Sequence, residues 1–376
     1  MPVVALLAVG LWFLARPPSG GIPEITLVAL LASFGLTPFV RLIALRGGAV
    51  DHPDARKRHN TPTPKLGGVA VLSAFVLALG RTATIDREML AISASAITLM
   101  LAGALDDTRG VSARLRLGLQ LFCSLVVIAA GVRLNLLPGP AGVAGNVLLS
   151  VLWIVGITNA YNFIDGMDGL APSLGALIAL LMGLVASLSG QPGLAAACAA
   201  LAGALLGFLP HNLRSGRPAS IFLGDSGSAS VGFLLAALAI KEDWAEGDPL
   251  VSLATPVLLF SVLIYDMIQT TVSRIVSGRV RSFREWIDFV GRDHIHHRFT
   301  RLLGDQRRAL ALILSLSLGL GLSAFGLHRG DGPEAIIFLV HGALVLLVVA
   351  VLEGSAGRDD AAAGTGRAGP NGGKKR

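Results

Sequence analysis

The stretch Leu170-Ala-Pro-Ser-Leu-Gly-Ala-Leu-Ile-Ala-Leu-Leu-Met-Gly-Leu-Val-Ala-Ser-Leu-Ser189 decides the fold class. It runs 20 residues without an acidic or basic side chain. About 20 apolar residues, each adding about 1.5 Å along a helix, cross the hydrocarbon of a bilayer. The segment therefore predicts a spanning helix. Further runs of the same kind are Ile22–Leu45, Leu66–Gly80, Met89–Leu105, Leu117–Leu134, Val143–Ala160, Gly193–Pro210, Ser226–Ile240, Pro249–Gln269, Ala309–Leu327 and Glu334–Leu352. Some are short. A shorter run, Val3–Ala15, would reach only about 20 Å as a helix. The expectation is an all-α polytopic membrane bundle of 11–12 transmembrane helices, with its active site in a cytoplasmic cleft.

Composition agrees. Of the 376 residues, 53% are hydrophobic and 15% charged, where a soluble chain carries about 25% charged. So few charges cannot cover a water-facing surface. A charge at the bilayer centre costs roughly 2.5–3.5 kcal/mol or more, so the charges belong in loops. Cys123 and Cys198 lie in apolar runs and read as small core residues, not as a disulfide framework. The run Val3–Ala15 follows no Lys or Arg and has no clear cleavage site, so it does not read as a cleaved signal peptide.

Alternating the loops puts 25 Lys and Arg on one side and 6 on the other. The basic side is assigned to the cytoplasm. The net charge of +7 then records this topology and not a nucleic-acid partner. Residues 1–355 form one integral membrane unit, and 356–376 are expected to be a disordered cytoplasmic tail. No internal repeat is visible, which gives no support to a transporter built from inverted halves.

The dense polar clusters all fall on the cytoplasmic side. The first runs from Asp51 through Arg56, Lys57, Arg58 and His59 to Lys65-Leu-Gly-Gly68. It offers phosphate-binding charge beside a helix start, although a basic loop can simply set topology. The second is Asp106-Asp107-Thr-Arg-Gly-Val-Ser-Ala-Arg-Leu-Arg116. Adjacent carboxylates repel and persist cheaply only beside cations, Mg²⁺ among them; the bland reading is solvated charge at a span end. The third is Asn159-Ala-Tyr-Asn-Phe-Ile-Asp-Gly-Met-Asp-Gly169. Its amides and acids recur every three residues, so they neighbour one another on a helix; the bland reading is a polar interhelical turn. The fourth is Phe222-Leu-Gly-Asp-Ser-Gly-Ser228, where Asp225 is either a helix cap or a site with room for a metal-diphosphate. Last comes Asp293-His-Ile-His-His-Arg298, a set suited to zinc or, better, to anion binding and proton handling. Together these clusters describe a Mg²⁺-dependent reaction between anions, at least one of them reachable from the bilayer.

In this order the motifs resemble the polyprenyl-phosphate N-acetylhexosamine-1-phosphate transferases, which include the MraY, WecA and TagO groups. The resemblance covers roughly residues 45–300. It implies transfer of a sugar-1-phosphate from a UDP-sugar to undecaprenyl or another polyprenyl phosphate, with release of UMP and use of Mg²⁺ (or Mn²⁺). It further implies a multi-pass protein of the bacterial inner (plasma) membrane at the first membrane step of cell-envelope glycan synthesis. A homodimer is left open. Carried over by motif, Asp225 is the metal ligand. Asp106 and Asp107 match the adjacent-Asp motif near the lipid phosphate, and His296 and His297 the catalytic His motif. Asn162, Asp165 and Asp168 match the nucleotide-contacting run, and Phe222 the ring that stacks on uracil. Lys65, Arg114, His294 and Arg298 complete the substrate-binding set. The His-Ile-His-His form resembles the WecA/TagO branch, because His294 stands where the muropeptide-precursor branch usually has Pro. UDP-N-acetylglucosamine is therefore the expected donor. The additional N-terminal run departs from the family pattern.

Two rivals remain: the same reaction on UDP-MurNAc-pentapeptide or a modified amino sugar, and a transporter of anionic metabolites. Transport calls for ionisable groups at mid-span, and mid-span here is bare apart from His341. Phe283, Trp286, Ile287 and Val290 recur at helical spacing and predict an interfacial amphipathic helix.

Overall fold

A computed structural model describes residues 21–52, 62–82, 85–242, 244, 249–282, 285–286, 289, 291, 293–330 and 332–365. The run Val3–Ala15, the basic residues Arg56, Lys57 and Arg58, most of the expected amphipathic helix and the last residues of the tail lie outside them. Among the described residues the regular structure is helical, apart from a two-residue antiparallel pair that sets Val50 opposite Pro64 and Asp51 opposite Thr63.

In chain order the elements are α1 (Ile22–Gly47), β1 (Val50–Asp51), β2 (Thr63–Pro64), α2 (Gly67–Leu79), α3 (Arg87–Arg109), α4 (Ala113–Ala130) and α5 (Gly139–Ile164). They continue as α6 (Leu170–Leu188), α7 (Pro192–Asn212), α8 (Gly224–Lys241), α9 (Pro249–Leu259) and α10 (Ser261–Val276). The last three are α11 (Ile295–Leu303), α12 (Gln306–Arg329) and α13 (Pro333–Thr365). Local chemistry sets many of the starts. Asp86, Ser112 and Asp305 each accept a backbone N–H three residues on, and Pro stands in the first turn of α1, α5 and α7.

All eleven apolar segments become helix. Among the described residues, 8 helices are long and apolar enough to cross a membrane, or 9 with the bent pair α9–α10 counted as one. Helices α2 and α8 are shorter or less apolar, yet each joins the two ends of the bundle. Helix α2 has only 13 residues, about 20 Å. Helix α8 spends its first turns on Gly224, Asp225, Ser226, Gly227 and Ser228, which dilute its apolar length. Helix α13 runs on to Thr365. Its Ala361-Ala-Ala363 run favours that continuation.

Helices α7 and α8 form the centre, and α8 is buried at every residue from Val231 to Ile240. Helix α1 lies so close on α7 that a Cβ at Gly207 would overlap the backbone of Leu30. Such packing of small residues is how helices associate where lipid removes the hydrophobic drive. At the periphery, Ile336, Val340, Leu344, Leu347 and Val351 of α13 form an exposed stripe. In a membrane chain that stripe faces acyl tails.

Charge gathers at the helix ends. At one end of the bundle Arg81 pairs with Glu24 at 2.7 Å, and Lys241 binds Asp86 and Glu88. At the other end lie the C-termini of α3 and α5 and the N-terminus of α8. Mid-span His341 hydrogen-bonds Ser323 at 2.7 Å.

Candidate active site

Helix α8 begins without a side-chain cap of its own, because Leu223 stands at the capping position. The amides of its first turn are met instead by Asp107, on the last turn of α3. Oδ1 accepts the Asp225 N–H and Oδ2 the Ser226 N–H, both at 3.1 Å. The positive end of a helix suits a carboxylate. This contact seats Asp225 at the mouth of the bundle, where its side chain is about a third exposed.

The other polar clusters close around Asp225. Asn162, on the last turn of α5, donates both amide hydrogens: to Asp225 Oδ1 at 3.0 Å and to Ser228 Oγ at 2.6 Å. Asp106 accepts the Val111 N–H through Oδ1 at 2.6 Å and pairs through Oδ2 with Arg116 at 2.8 Å. The same Arg116 nitrogen lies 3.8 Å from Asp225 Oδ1. Lys65 stands 3.6 Å from Asp51 and 4.0 Å from Asp107. Asp165, just beyond α5, feels this concentration of negative charge. Burial, and then the carboxylates of Asp225, Asp107 and Asp168, push its carboxyl well above the usual carboxylate range.

Backbone bonds stitch the first motif to the fourth. Gly67 N–H donates to Phe222 O at 3.0 Å, Gly68 N–H to Leu223 O at 2.9 Å, and Phe222 N–H to Pro64 O at 2.8 Å. A Cβ on Gly68 would overlap the Gly227 backbone, so the paired glycines are a packing requirement. The turn into them is strained: Leu66 takes φ 79°, the one positive value at a non-glycine among the described residues. Phe222 is left half-buried, three residues before Asp225. Asp168 faces the same loop from the third motif, where its Oδ2 accepts the Ala219 N–H at 3.1 Å. Buried Asn212 ties the two by accepting from Gly169 and donating to Ile221.

The His motif packs on the third motif. His296 is 2% exposed, and a Cβ on Gly166 would overlap its ring. Its centroid is 4.1 Å from that of His297 and 6.1 Å from that of His294.

Most of the predicted site residues are thus gathered at one end of the bundle. Two cations are placed otherwise. Arg114 is exposed on the first turn of α4, and Arg116, two residues on, carries the charge into the acid cluster. Both lie in one short basic run, and the fold separates their roles. Arg298 pairs with buried Glu353 of α13 at 2.7 Å and donates to Asp293 O at 2.8 Å. His294 is also committed to protein partners, with Nδ1 2.8 Å from Asp266 Oδ2.

The donor set suits a hard divalent cation. Mg²⁺ takes one or two carboxylates and completes its shell with water and substrate phosphate oxygens. The partly exposed Asp225 carboxylate, beside a surplus of negative charge, meets that requirement. Among the described residues no group of three or more His, Cys, Asp or Glu forms a closed metal cage, the His motif included.

The pattern of glycosyl transferase family 4 matches residues 89–242, from α3 to the end of α8. The chain is 31% identical over 307 residues to the probable undecaprenyl-phosphate N-acetylglucosaminyl 1-phosphate transferase of Bacillus subtilis, covering 79% of this chain and 82% of that one. It is 33% identical over 330 residues to the decaprenyl-phosphate N-acetylglucosaminephosphotransferase of Mycolicibacterium smegmatis, covering 78% and 80%. To the undecaprenyl-phosphate alpha-N-acetylglucosaminyl 1-phosphate transferase of Escherichia coli K12 it is 28% identical over 287 residues, covering 73% and 75%. With its motifs converging at one site and relatives matched over most of their length, the chain belongs to glycosyl transferase family 4, among the polyprenyl-phosphate N-acetylhexosamine-1-phosphate transferases.

Proposed function

We propose that this protein transfers N-acetylglucosamine-1-phosphate from UDP-N-acetylglucosamine to undecaprenyl phosphate or a related polyprenyl phosphate, releasing UMP. The site faces the cytoplasm from the inner membrane of a bacterial cell. The observation that carries the reading is the meeting of Asp106, Asp107, Asn162 and Asp225 with Arg116 at one end of an apolar bundle. A site there is open to a cytoplasmic nucleotide and to a phosphate anchored in the bilayer. The names of the relatives, all N-acetylglucosamine-1-phosphate enzymes, support this donor over UDP-MurNAc-pentapeptide.

The chemistry is a direct displacement. An oxygen of the acceptor phosphate attacks the donor β-phosphorus, and the bond from that phosphorus to the bridging oxygen breaks. UMP leaves with the bridging oxygen. A phosphate monoester has a second pKa near 6, so the acceptor is largely dianionic at pH 7 and needs little help from a base. Its obstacle is repulsion. Arg116 and Lys65 place positive charge beside the acids, and Mg²⁺ or Mn²⁺ held by Asp225 would supply further charge stabilisation when bound. Asp106 and Asp107 each engage both carboxylate oxygens with protein donors, which favours positioning over nucleophilic attack.

The test is purified protein with Mg²⁺, undecaprenyl phosphate and a panel of UDP-sugars, with UMP measured and the lipid product identified by mass. A lipid-linked N-acetylglucosamine diphosphate is expected. A product only from UDP-MurNAc-pentapeptide would change the donor. No lipid product, together with metabolite uptake into liposomes, would replace the enzyme by a transporter.

A further inference from the structure

The His-bearing turn is held by a helix outside all five motifs. Asp266 stands on α10, is 2% exposed, and spends both carboxylate oxygens on this turn. Oδ1 accepts the Ile295 N–H at 2.6 Å, and Oδ2 lies 2.8 Å from His294 Nδ1. Two turns further on, Arg274 is 3% exposed and donates to Asp293 twice, at 2.9 and 2.6 Å. Its Nη2 also sits 3.3 Å from His294 Nε2.

These partners select one form of the imidazole. A guanidinium can only donate, so Nε2 of His294 accepts. The ring proton then sits on Nδ1 and is donated to Asp266. With both nitrogens engaged and its ring stacked on Phe163 at 5.3 Å, His294 has no nitrogen left for a substrate. It is nonetheless the first residue of the turn that delivers His296 and His297, and its ring lies parallel to that of His296 within 7°. A carboxylate behind a histidine fixes tautomer and ring orientation in many polar sites.

We propose that Asp266 is a positioning residue for the transfer reaction: through the imidazole of His294, it sets the orientation in which His296 and His297 meet the turn at Asp165–Asp168. The proposal rests on the transferase reading for its kinetic readout. Asp266→Asn keeps the shape of the side chain but offers one acceptor. The Ile295 N–H claims that oxygen, so the amide NH₂ faces His294 and forces the other tautomer, whose Nε2–H then opposes Arg274. His294→Asn acts the other way. Its side-chain amide can still donate to Asp266 from the position of Nδ1, without a ring that could handle a proton.

The experiment compares Asp266→Asn, His294→Ala, His294→Asn and the double variant Asp266→Asn/His294→Ala. Asp266→Asn and His294→Ala are each expected to lower kcat about 30-fold, with donor KM changed less than about threefold. Because the two residues act as one unit, the double variant should lose no more than about twofold beyond either single change. His294→Asn should stay within about fivefold of the parent kcat. Multiplicative losses in the double variant, or a His294→Asn protein as inactive as His294→Ala, would overturn the proposal. A structural readout keeps it separate from the activity reading: hydrogen–deuterium exchange of Asp293–Phe299 should quicken in Asp266→Asn. If the parent protein releases no UMP, the transferase reading fails, and unchanged exchange in this segment would sink the role of Asp266 on its own.

Discussion

The carboxylate of Asp107 caps a helix 118 residues away, accepting the first-turn amides of Asp225 and Ser226 at 3.1 Å each. Asp107→Ala leaves those amides without their cap, and lost caps typically cost about 1–2 kcal/mol. Asp107→Asn keeps one acceptor and loses the charge that suits the helix N-terminus. The expected order of thermal midpoints in detergent is parent, then Asn, then Ala. UMP release should fall at least about tenfold in both variants, since Asp225 moves with its helix end. An Asn variant with a parental midpoint and parental activity would remove the capping role.

Asp225→Asn should abolish most Mg²⁺-dependent turnover while leaving a folded, extractable protein. The amide keeps the acceptor used by Asn162 and sits on a partly exposed side chain, so the fold loses little. What it loses is the negative charge that a hard divalent cation requires. The check is UMP release against Mg²⁺ concentration; a parental curve would return Asp225 to an ordinary first-turn residue.

Glu353 ties the last helix to the His-bearing one: it pairs with Arg298 at 2.7 Å and accepts from the Tyr265 hydroxyl at 2.5 Å. The Glu353 side chain is 3% exposed and that of Arg298 13%. Removing one partner of a buried pair leaves an uncompensated charge and typically costs about 3–5 kcal/mol. Glu353→Ala should therefore lower the thermal midpoint clearly more than Glu353→Gln, which keeps an acceptor for the hydroxyl. Equal, small shifts in the two variants would show that the pair does not hold α13.

Glu242 ends α8 at the opposite end of the bundle, 5% exposed and with neither carboxylate oxygen hydrogen-bonded among the described residues. Burial pushes its carboxyl from 4.5 up to about 9. The folded protein therefore holds this proton where the unfolded chain has released it. The stabilising contribution is complete below 4.5 and is lost as pH rises toward about 9. Glu242→Gln has no proton to lose, so its thermal midpoint should decline less than the parent's across this range and exceed it at the alkaline end. Parallel declines in the two proteins would argue against a buried, protonated Glu242.

Direct attack by the acceptor predicts no exchange between labelled UMP and UDP-sugar in protein stripped of polyprenyl phosphate. Exchange that disappears in Asp106→Asn or Asp107→Asn would reveal a phospho-sugar enzyme and replace the single displacement by two.

Each of the spans was legible because a run such as Leu170–Ser189 carries its own signal: twenty apolar residues in a helix match a bilayer, whatever they touch. The acids at Asp106, Asp107, Asp165 and Asp225 were legible for a related reason, since polar clusters stand out where most of the chain is apolar. The path of the chain was less so. That α9 and α10 bend by 76° depends on packing and not on composition. Roles were hidden further still. Arg114 and Arg116 are equivalent in sequence, yet only the helix that begins at Ala113 turns Arg116 onto Asp106 and Asp225. Asp266 and Glu353 look like stray charges in apolar helices until the fold brings one to His294 and the other to Arg298. The sequence by itself determined the solvent this protein folds in and the chemistry of its motifs, because both follow from local composition. Only the tertiary structure decided which charges compensate which, because a buried charge is paid for by a partner distant in sequence, here 28 or 118 residues away.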